Sequence, residues 1–462
     1  MLKDFAISIV RTLRERGHKA YLVGGCVRDL LLHREPADYD VATDATPDEV
    51  MRIFPETYAV GAQFGVVLVP LPEEKQVPRL HGSLAEQSPD LARDDRGSEM
   101  VEVATFRADI GYSDGRHPDE VRFSKDPRED ALRRDFTING LLLDPVTNQT
   151  LDFVGGQQDL ENGIIRAIGE PERRFAEDKL RMLRAVRFAA RFDYKIEPAT
   201  FRAIQQHAAD IRQVSRERVR DELTRMLTEG HARHAFLLLD ETGLLREILP
   251  EIEAMKGVEQ PPQFHPEGDV FVHTLLLLDR LPYPSPATLA WGALLHDVGK
   301  PPTFRIAPDR IRFDNHVDVG VKMAEAICER LRFSNDDTRQ ILALVDNHMR
   351  FAHAMRMSES TFKKFVRMPQ FDEHLELHRL DCEASHGDLT TYNFTREKIS
   401  ALSPEAVRPA PLVNGDDLIA AGYKPGPRFS QILSAVEDGQ LEGELSNREQ
   451  AMKFVKREFP GE

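Results

Sequence analysis

Tyr21-Leu22-Val23-Gly24-Gly25-Cys26-Val27-Arg28-Asp29-Leu30-Leu31-Leu32, followed by Asp38-Tyr39-Asp40-Val41-Ala42-Thr43, is the stretch that decides the fold. Ala20 to Val23 is a short apolar run that reads as a strand. It runs into two glycines, a helical stretch follows, and Asp38 to Ala42 reads as a second strand. Asp38 and Asp40 stand two apart, which in a strand puts both carboxylates on one face. Such a pair can hold divalent metals against a triphosphate, activating an attacking hydroxyl and neutralising the leaving pyrophosphate. Gly24 and Gly25 let backbone amides approach phosphate, the start of the helix favours anions, and Arg28 adds positive charge. Asp-x-Asp alone also describes a solvated strand end, and Gly-Gly alone an ordinary turn. Their succession in one strand–turn–helix–strand unit is what points to phosphate chemistry.

Residues 3–18 carry the apolar spacing of a short helix, and Pro47 opens another to about Phe54. Phe64-Gly65-Val66-Val67-Leu68-Val69, Val101 to Phe106 and Gly140 to Leu143 are strand-like. Glu102, on the second of these, is a candidate third carboxylate or a plain exposed position. Residues 71–99 are polar, charged and interrupted by prolines, as expected of a surface insertion or mobile loop. Strands alternating with helices predict an α/β head over residues 1–150. Beyond residue 160 helical periodicity takes over. Pro261, Pro262 and Pro266 mark one linker, and Pro404, Pro409 and Pro411 another joint. The expected fold class is α+β and multidomain. A small mixed-sheet head (1–150) precedes an all-α neck (151–255), a helical body (256–400) and a helical tail (401–462).

With 462 residues the chain is too long for one core. No apolar run approaches the roughly 18 residues that a membrane helix needs, so no membrane partner is expected. The start, Met1-Leu2-Lys3-Asp4, does not read as a signal peptide. Cys26, Cys328 and Cys382 show no paired spacing, which favours a reducing cytoplasm and excludes a disulfide frame or a zinc knuckle. A net charge of −16 argues against nucleic-acid binding by bulk attraction, so any such affinity must come from local basic density. Monomer and homodimer are both left open.

The stretch from Tyr21 to Thr43 resembles the head of class II tRNA nucleotidyltransferases, the bacterial CCA-adding enzymes, a polymerase-β-like fold that bacterial poly(A) polymerases share. The resemblance continues through nearly the whole chain apart from 71–99. It implies that Asp38, Asp40 and Glu102 are catalytic, the two aspartates holding Mg2+, with Gly24, Gly25 and Arg28 at the nucleotide. Arg133-Arg134-Asp135-Phe136-Thr137-Ile138-Asn139 is similar to the family's second motif, which assigns Arg134 to the triphosphate and Asp135 to the ribose 2′ hydroxyl, with Asn139 in the same set. Gly155-Gly156 to Arg166 resembles a hinge between head and neck. Glu177-Asp178-x-x-Arg181-x-x-Arg184-x-x-Arg187 resembles the fourth motif. On a helix Asp178, Arg181 and Arg184 share a face, opposite Leu183, Val186 and Ala190. A salt-bridged helix surface gives the same pattern. The resemblance implies instead that Asp178 and Arg181 present hydrogen-bonding edges to an incoming base, with Arg184 and Arg187 supporting them or touching phosphate. Val214 to Val219 resembles the fifth motif. The implied partners are tRNA, CTP and ATP. Two features favour full CCA addition: Val60 to Val67 lacks the basic pair of the poly(A) polymerases, and Arg107 through Tyr112 to Pro118 looks like the loop used in switching from C to A. Addition of the terminal A alone, or a poly(A) polymerase, stays open.

His273, His296-Asp297, His316, His348 and Asp381 fall in the helical body. Neutral imidazoles with carboxylates suit a divalent transition metal or Mg2+, and such a site activates water for phosphoester hydrolysis. The doublet within Leu294-Leu295-His296-Asp297-Val298-Gly299-Lys300 resembles the HD phosphohydrolase family, which implies a second, phosphatase or phosphodiesterase site holding one or two metals. His265, His353, His374 and His378 read as surface residues or supports. A reading from another class is an HD phosphodiesterase whose head only binds RNA.

Overall fold

The computed structural model describes residues 1–59, 65–72, 100–110, 120–263, 265–308 and 310–460. The insertion beyond residue 72, most of the Val60–Val67 stretch before Gly65, and the 107–118 loop beyond Ile110 therefore lie outside the described residues. Contacts divide the chain into two compact units, Met1–Leu223 with His234–Ile248, and Thr224–Arg233 with Leu249–Glu462.

The first unit opens with helix α1 (Leu2–Glu15), which buries Ala6, Ile9, Val10 and Leu13 at helical spacing. Strand β1 (Ala20–Val23), helix α2 (Gly25–Leu31) and strand β2 (Asp40–Thr43) follow. Helix α3 (Pro47–Ile53) starts at a capping box in which Thr46 and Glu49 bond reciprocally. Strands β3 (Val66–Pro70) and β4 (Met100–Thr105) come next, then a hairpin of β5 (Arg107–Ile110) and β6 (Glu120–Phe123). Helix α4 (Pro127–Leu132) precedes β7 (Leu142–Asp144) and β8 (Gln149–Leu151). Six of these strands form a mixed sheet in the order β3-β4-β2-β1-β7-β8. Its one parallel pairing, β2 with β4, sets Asp40 opposite Glu102. Val101, Val103 and Thr105 of β4 are buried while Glu102 between them is exposed, so the alternation of a half-buried strand fixes which face carries the carboxylate. Val23, Ala42, Phe106, Ala131 and Leu142 close a core against the sheet.

Past the sheet lie α5 (Gly156–Asn162), α6 (Pro171–Glu177) and α7 (Leu180–Phe192). Leu183, Val186 and Ala190 of α7 are buried, as their spacing predicts. The expected strand at Asp38 begins two residues later, at Asp40, and the strand expected at Gly140 begins at Leu142. Beyond residue 160 the described strands are short pairs only, Ile164–Ile165 with Lys195–Ile196 and Phe304–Ile306 with Ile311–Phe313. The second unit is otherwise helical. Its longest described helices are His316–Arg330, Pro427–Leu441 and Phe371–Ala384, with a separate apolar cluster under the last 50 or so residues around Leu418, Ile432 and Val455. Among the described residues no helix is long and apolar enough to cross a membrane.

Candidate functional site

In the first unit two carboxylates stand in register at the edge of the β2–β4 pair, with a third close enough to act on them electrostatically. Asp40 is the first residue of β2, Glu102 is its register partner, and Asp38 lies on the approach to the strand. Residues in register on neighbouring strands share a face, so Asp40 and Glu102 project together. Burial, then Glu102 and Asp38, push the Asp40 carboxyl up to about 8 against the opposing charge of Arg134. Glu102 is raised too, first because the protein packed around its carboxyl disfavours the charge although the side chain reaches solvent, with Arg134 again opposing. Anions crowded in this way favour a cation among them. Gly24 makes the approach possible. Its φ of 74° and ψ of −135° suit glycine alone, and a Cβ there would stand 3.0 Å from Arg134 Nη1 and 3.7 Å from Asp40 Oδ2.

Around this edge runs a continuous polar network. Asp130, fully buried, holds Arg133 through Oδ1 at 2.7 Å and Arg134 through Oδ2 at 3.0 Å. Burial opposes its charge, but the two guanidiniums outweigh it and keep the pKa low. Asp135 Oδ1 accepts from its neighbour Phe136 N and from Asn139 Nδ2, while Oδ2 accepts from Arg184 Nε at 2.8 Å. Burial works against this carboxylate as well, yet Arg184 and Asn139 hold it well below the ordinary range. Arg28 donates to Asn139 Oδ1 at 2.8 Å and to Asp29 at 2.8 Å, and lies over the Phe188 and Phe192 rings. The structure thus turns Arg28 inward, with 4% of it exposed, where it braces Asn139 and through it Asp135.

The helix expected to carry Asp178, Arg181 and Arg184 on one face is broken at its start. Asp178 ends α6 in extended conformation, and α7 begins at Leu180. Asp178 stays outside the helix because its carboxylate accepts from Leu180 N at 3.0 Å, as a cap does, and takes both ends of the Arg218 fork. Arg181 donates to Glu177 at 2.8 Å, and Arg184 to Asp135. Arg187 is 4% exposed and bonded to buried Glu222 at 2.7 Å, with its guanidinium over Phe188, which makes it a packing residue in this structure. Asp130, the role of Glu177 as the partner of Arg181 and the pairing of Arg218 were not foreseen. Asp130 and Glu177 each stand four before an arginine they bond, a legible helical spacing. The Asp178–Arg218 pair spans 40 residues, and no local signal announces it.

In the second unit the structure brings all six expected residues of the helical body together. His273 Nε2 lies 3.1 Å from Asp381 Oδ1 and 3.3 Å from His296 Nε2. Asp297 faces two ways. Its Oδ2 is 3.2 Å from His296 and 2.7 Å from Lys300, and its Oδ1 is 3.9 Å from His316 and 3.8 Å from His348. His296, His316 and His348 each direct Nδ1 at a backbone carbonyl, of Ala293, Phe313 and Val345. That fixes the tautomer with the Nε2 lone pair facing inward. Burial pushes His348 down to about 4 and lowers His316, so both stay neutral. The Nε2 atoms of His316 and His348 are buried with no hydrogen-bond partner. The six residues form two candidate ligand groups, His273–His296–Asp381 and Asp297–His316–His348, and His265, Glu267 and His273 form a third beside them. Gly299 is what lets them close, because a Cβ there would fall 2.1 Å from the His316 carbonyl and 2.5 Å from Gly320 N. Supporting residues not foreseen are Glu267, which accepts from His273 Nδ1 at 2.7 Å and His265 Nδ1 at 2.9 Å, and Lys300, clamped between Asp297 and Gln260.

Comparison with known proteins covers both units. Residues 20–166 match the poly A polymerase head domain, 193–256 the probable RNA and SrmB-binding site of polymerase A, and 269–384 the HD domain. A CCA-adding enzyme of Geobacillus sp. (strain WCH70) is 30% identical over 96% of this chain and 94% of its own length. An A-adding tRNA nucleotidyltransferase of Deinococcus radiodurans is 32% identical over 96% of each. The match to a CCA-adding enzyme of Lactobacillus helveticus is 37% identical but spans only 59% of this chain and 62% of that one. Among solved structures, the Bacillus stearothermophilus CCA-adding enzyme in complex with CTP aligns with a TM-score of 0.72 at 26% identity, over 98% of this chain and 96% of that one.

Proposed function

The chain belongs to the family of CCA-adding and A-adding tRNA nucleotidyltransferases, and from that premise we propose that it extends the 3′ end of tRNA with CCA, using CTP and ATP. The observation that carries this is the register of β2 and β4, which sets Asp40 beside Glu102 with Arg134 and Gly24 against them. The donor set is three carboxylates, hard oxygen ligands that fit Mg2+. When bound there, the cation would favour the ionised 3′ hydroxyl and neutralise the pyrophosphate that leaves. Asp38, Asp40 and Glu102 would hold it. Gly24 and Gly25 admit the triphosphate close to the backbone, and Arg134, kept in place by Asp130, adds positive charge beside it. Asp135, oriented by Asn139 and Arg184, accepts the ribose 2′ hydroxyl, which selects ribonucleotides. Asp178 and Arg181 offer an acceptor and a donor to the base edge, and Arg184 supports them through Asp135. Arg28 and Arg187 hold this frame from behind and do not touch the nucleotide.

The His273, His296, Asp297, His316, His348 and Asp381 cluster supports a second, hydrolytic site. The unpartnered Nε2 atoms of His316 and His348 beside a carboxylate fit a divalent ion, and Asp297, whose other oxygen lies 3.2 Å from His296, stands between this group and His273–His296–Asp381. Ions bound there would supply an activated water for phosphoester hydrolysis. The choice between CCA and A alone is tested by incubating the protein with tRNA lacking its end, and with tRNA ending in C-C, in the presence of CTP and ATP, and sequencing the products. CCA on both substrates is expected. Extension of the C-C form alone would make it an A-adding enzyme, and long A tails a poly(A) polymerase.

A further inference from the structure

A cavity of about 280 Å³ in the first unit is lined by Ala108, Arg122, Glu129, Leu132 and Arg133, and by Arg173, Arg174 and Glu177 of α6. Four guanidiniums face two carboxylates, a local excess of +2 in a chain whose net charge is −16. The arginines fall into two kinds. Arg133 and Arg174 are anchored, the first to Asp130, the second to the Ile168 carbonyl at 2.7 Å and to Glu177 at 2.8 Å. Arg122 and Arg173 are arms at the mouth, with side chains 63% and 80% exposed. Their pairs are long, 3.3 Å to Glu129 and 3.5 Å to Glu177, and Glu177 is already shared with Arg174 and Arg181. Exposed pairs of this length contribute little to stability and exchange partners readily. The fold does not need these two charges, whereas a phosphate arriving there would gain bidentate partners from both.

The position narrows the ligand. Asp130 holds Arg134 toward Gly24 and Asp40 with one oxygen, and Arg133 with the other; Arg133 lines the cavity and Arg134 does not. Glu177, in the cavity wall, also bonds Arg181. The cavity therefore adjoins both the carboxylate edge and the base-reading residues, and it is separate from the place of the triphosphate. Its volume lies at the lower limit for whole small-molecule ligands, and suits a single phosphate with its sugar edge better than a nucleoside triphosphate. We propose that this cavity binds a backbone phosphodiester of the RNA strand whose 3′ end is being extended, with Arg122 and Arg173 closing on it. The assignment rests on the nucleotidyltransferase function proposed above.

The test is tRNA binding by the full-length double variant R122A/R173A, measured by filter binding between 50 and 200 mM salt. Affinity about tenfold weaker is expected, with a log–log salt dependence shallower by about 1 to 2. KM for tRNA should rise while KM for CTP holds. R122K/R173K, which keeps the charges, should recover most of the slope. Unchanged tRNA affinity in R122A/R173A overturns the proposal, and so does a rise in KM for CTP with KM for tRNA unchanged, which would give the cavity to the triphosphate. A wild-type chain that fails to bind tRNA would overturn the nucleotidyltransferase function as well, which separates the two failures.

Discussion

Asp40 sits among like charges in a half-buried site, so its carboxylate serves chemistry at a cost to the fold. Asp40→Asn should abolish CTP and ATP incorporation while raising the Tm of the metal-free protein by about 2–4 °C, the size of a 1 kcal/mol gain in a domain of this kind. Calorimetry in chelator decides this, and a lower Tm would mean that Asp40 is structurally required. Gly24→Ala forces a side chain into a positive-φ backbone and against Arg134. A stability loss of about 1–3 kcal/mol is expected, together with loss of nucleotide incorporation. In the second unit Glu267 bonds the far nitrogen of His273, an arrangement that orients a ligand without touching the ion. Glu267→Gln should weaken metal binding about 10- to 100-fold, read as metal content after dialysis, and leave nucleotide incorporation intact. These roles differ in how far the sequence discloses them. Asp38, Asp40 and the histidines stand out as candidates because metal chemistry restricts the residue types. Glu267 is not, because an isolated glutamate six residues before a histidine has no spacing that distinguishes it from surface.

Helix α7 shows why boundaries and orientations are harder to foresee than periodicity. Its apolar positions are read correctly, since burial of Leu183, Val186 and Ala190 needs only a 3.6-residue repeat. The charged positions expected on its polar face are not, because Asp178 falls outside the helix and pairs with Arg218, while Arg181 pairs with Glu177, Arg184 with Asp135 and Arg187 with Glu222. Three of these partners lie 35 or more residues away, where only the folded chain brings them close. The Arg187–Glu222 pair is buried on both sides, so removing one member strands the other charge. Glu222→Ala should cost about 3–5 kcal/mol in denaturant unfolding, while the double change R187M/E222L should recover most of it. Equal losses in the single and double variants would show that the pair itself stabilises the helix. The strands were legible where alternation was strict, as in β4, and missed in the hairpin of β5 and β6 and at β8, which are three or four residues long and give the repeat too little room.

The two candidate ligand sets, carboxylates in the first unit and imidazoles with carboxylates in the second, fall in different compact units. His296→Ala should therefore remove hydrolysis and leave tRNA extension at wild-type rate, while Asp40→Asn does the reverse. Loss of both activities in either variant would argue against separate sites. A chelator should stop both, and Mg2+ alone should restore extension. The multidomain α+β character was readable from the shift from alternating strands to helices, but the grouping of the chain into units was not, because proline-marked joints report where the chain bends and not which helices pack together. The pairing of Pro70 with Met100 at the end of the β3–β4 ladder has one more consequence. The chain leaves the sheet at Pro70 and is back in it at Met100, the register partner of Pro70 and the first residue of the strand that bears Glu102. Because the entropy of closing a loop grows only with the logarithm of its length, this doorway is nearly indifferent to what is threaded through it. A fluorescent domain or affinity handle spliced between Pro70 and Met100 should leave the register of Asp40 and Glu102 intact, which makes this junction a natural port for grafted cargo.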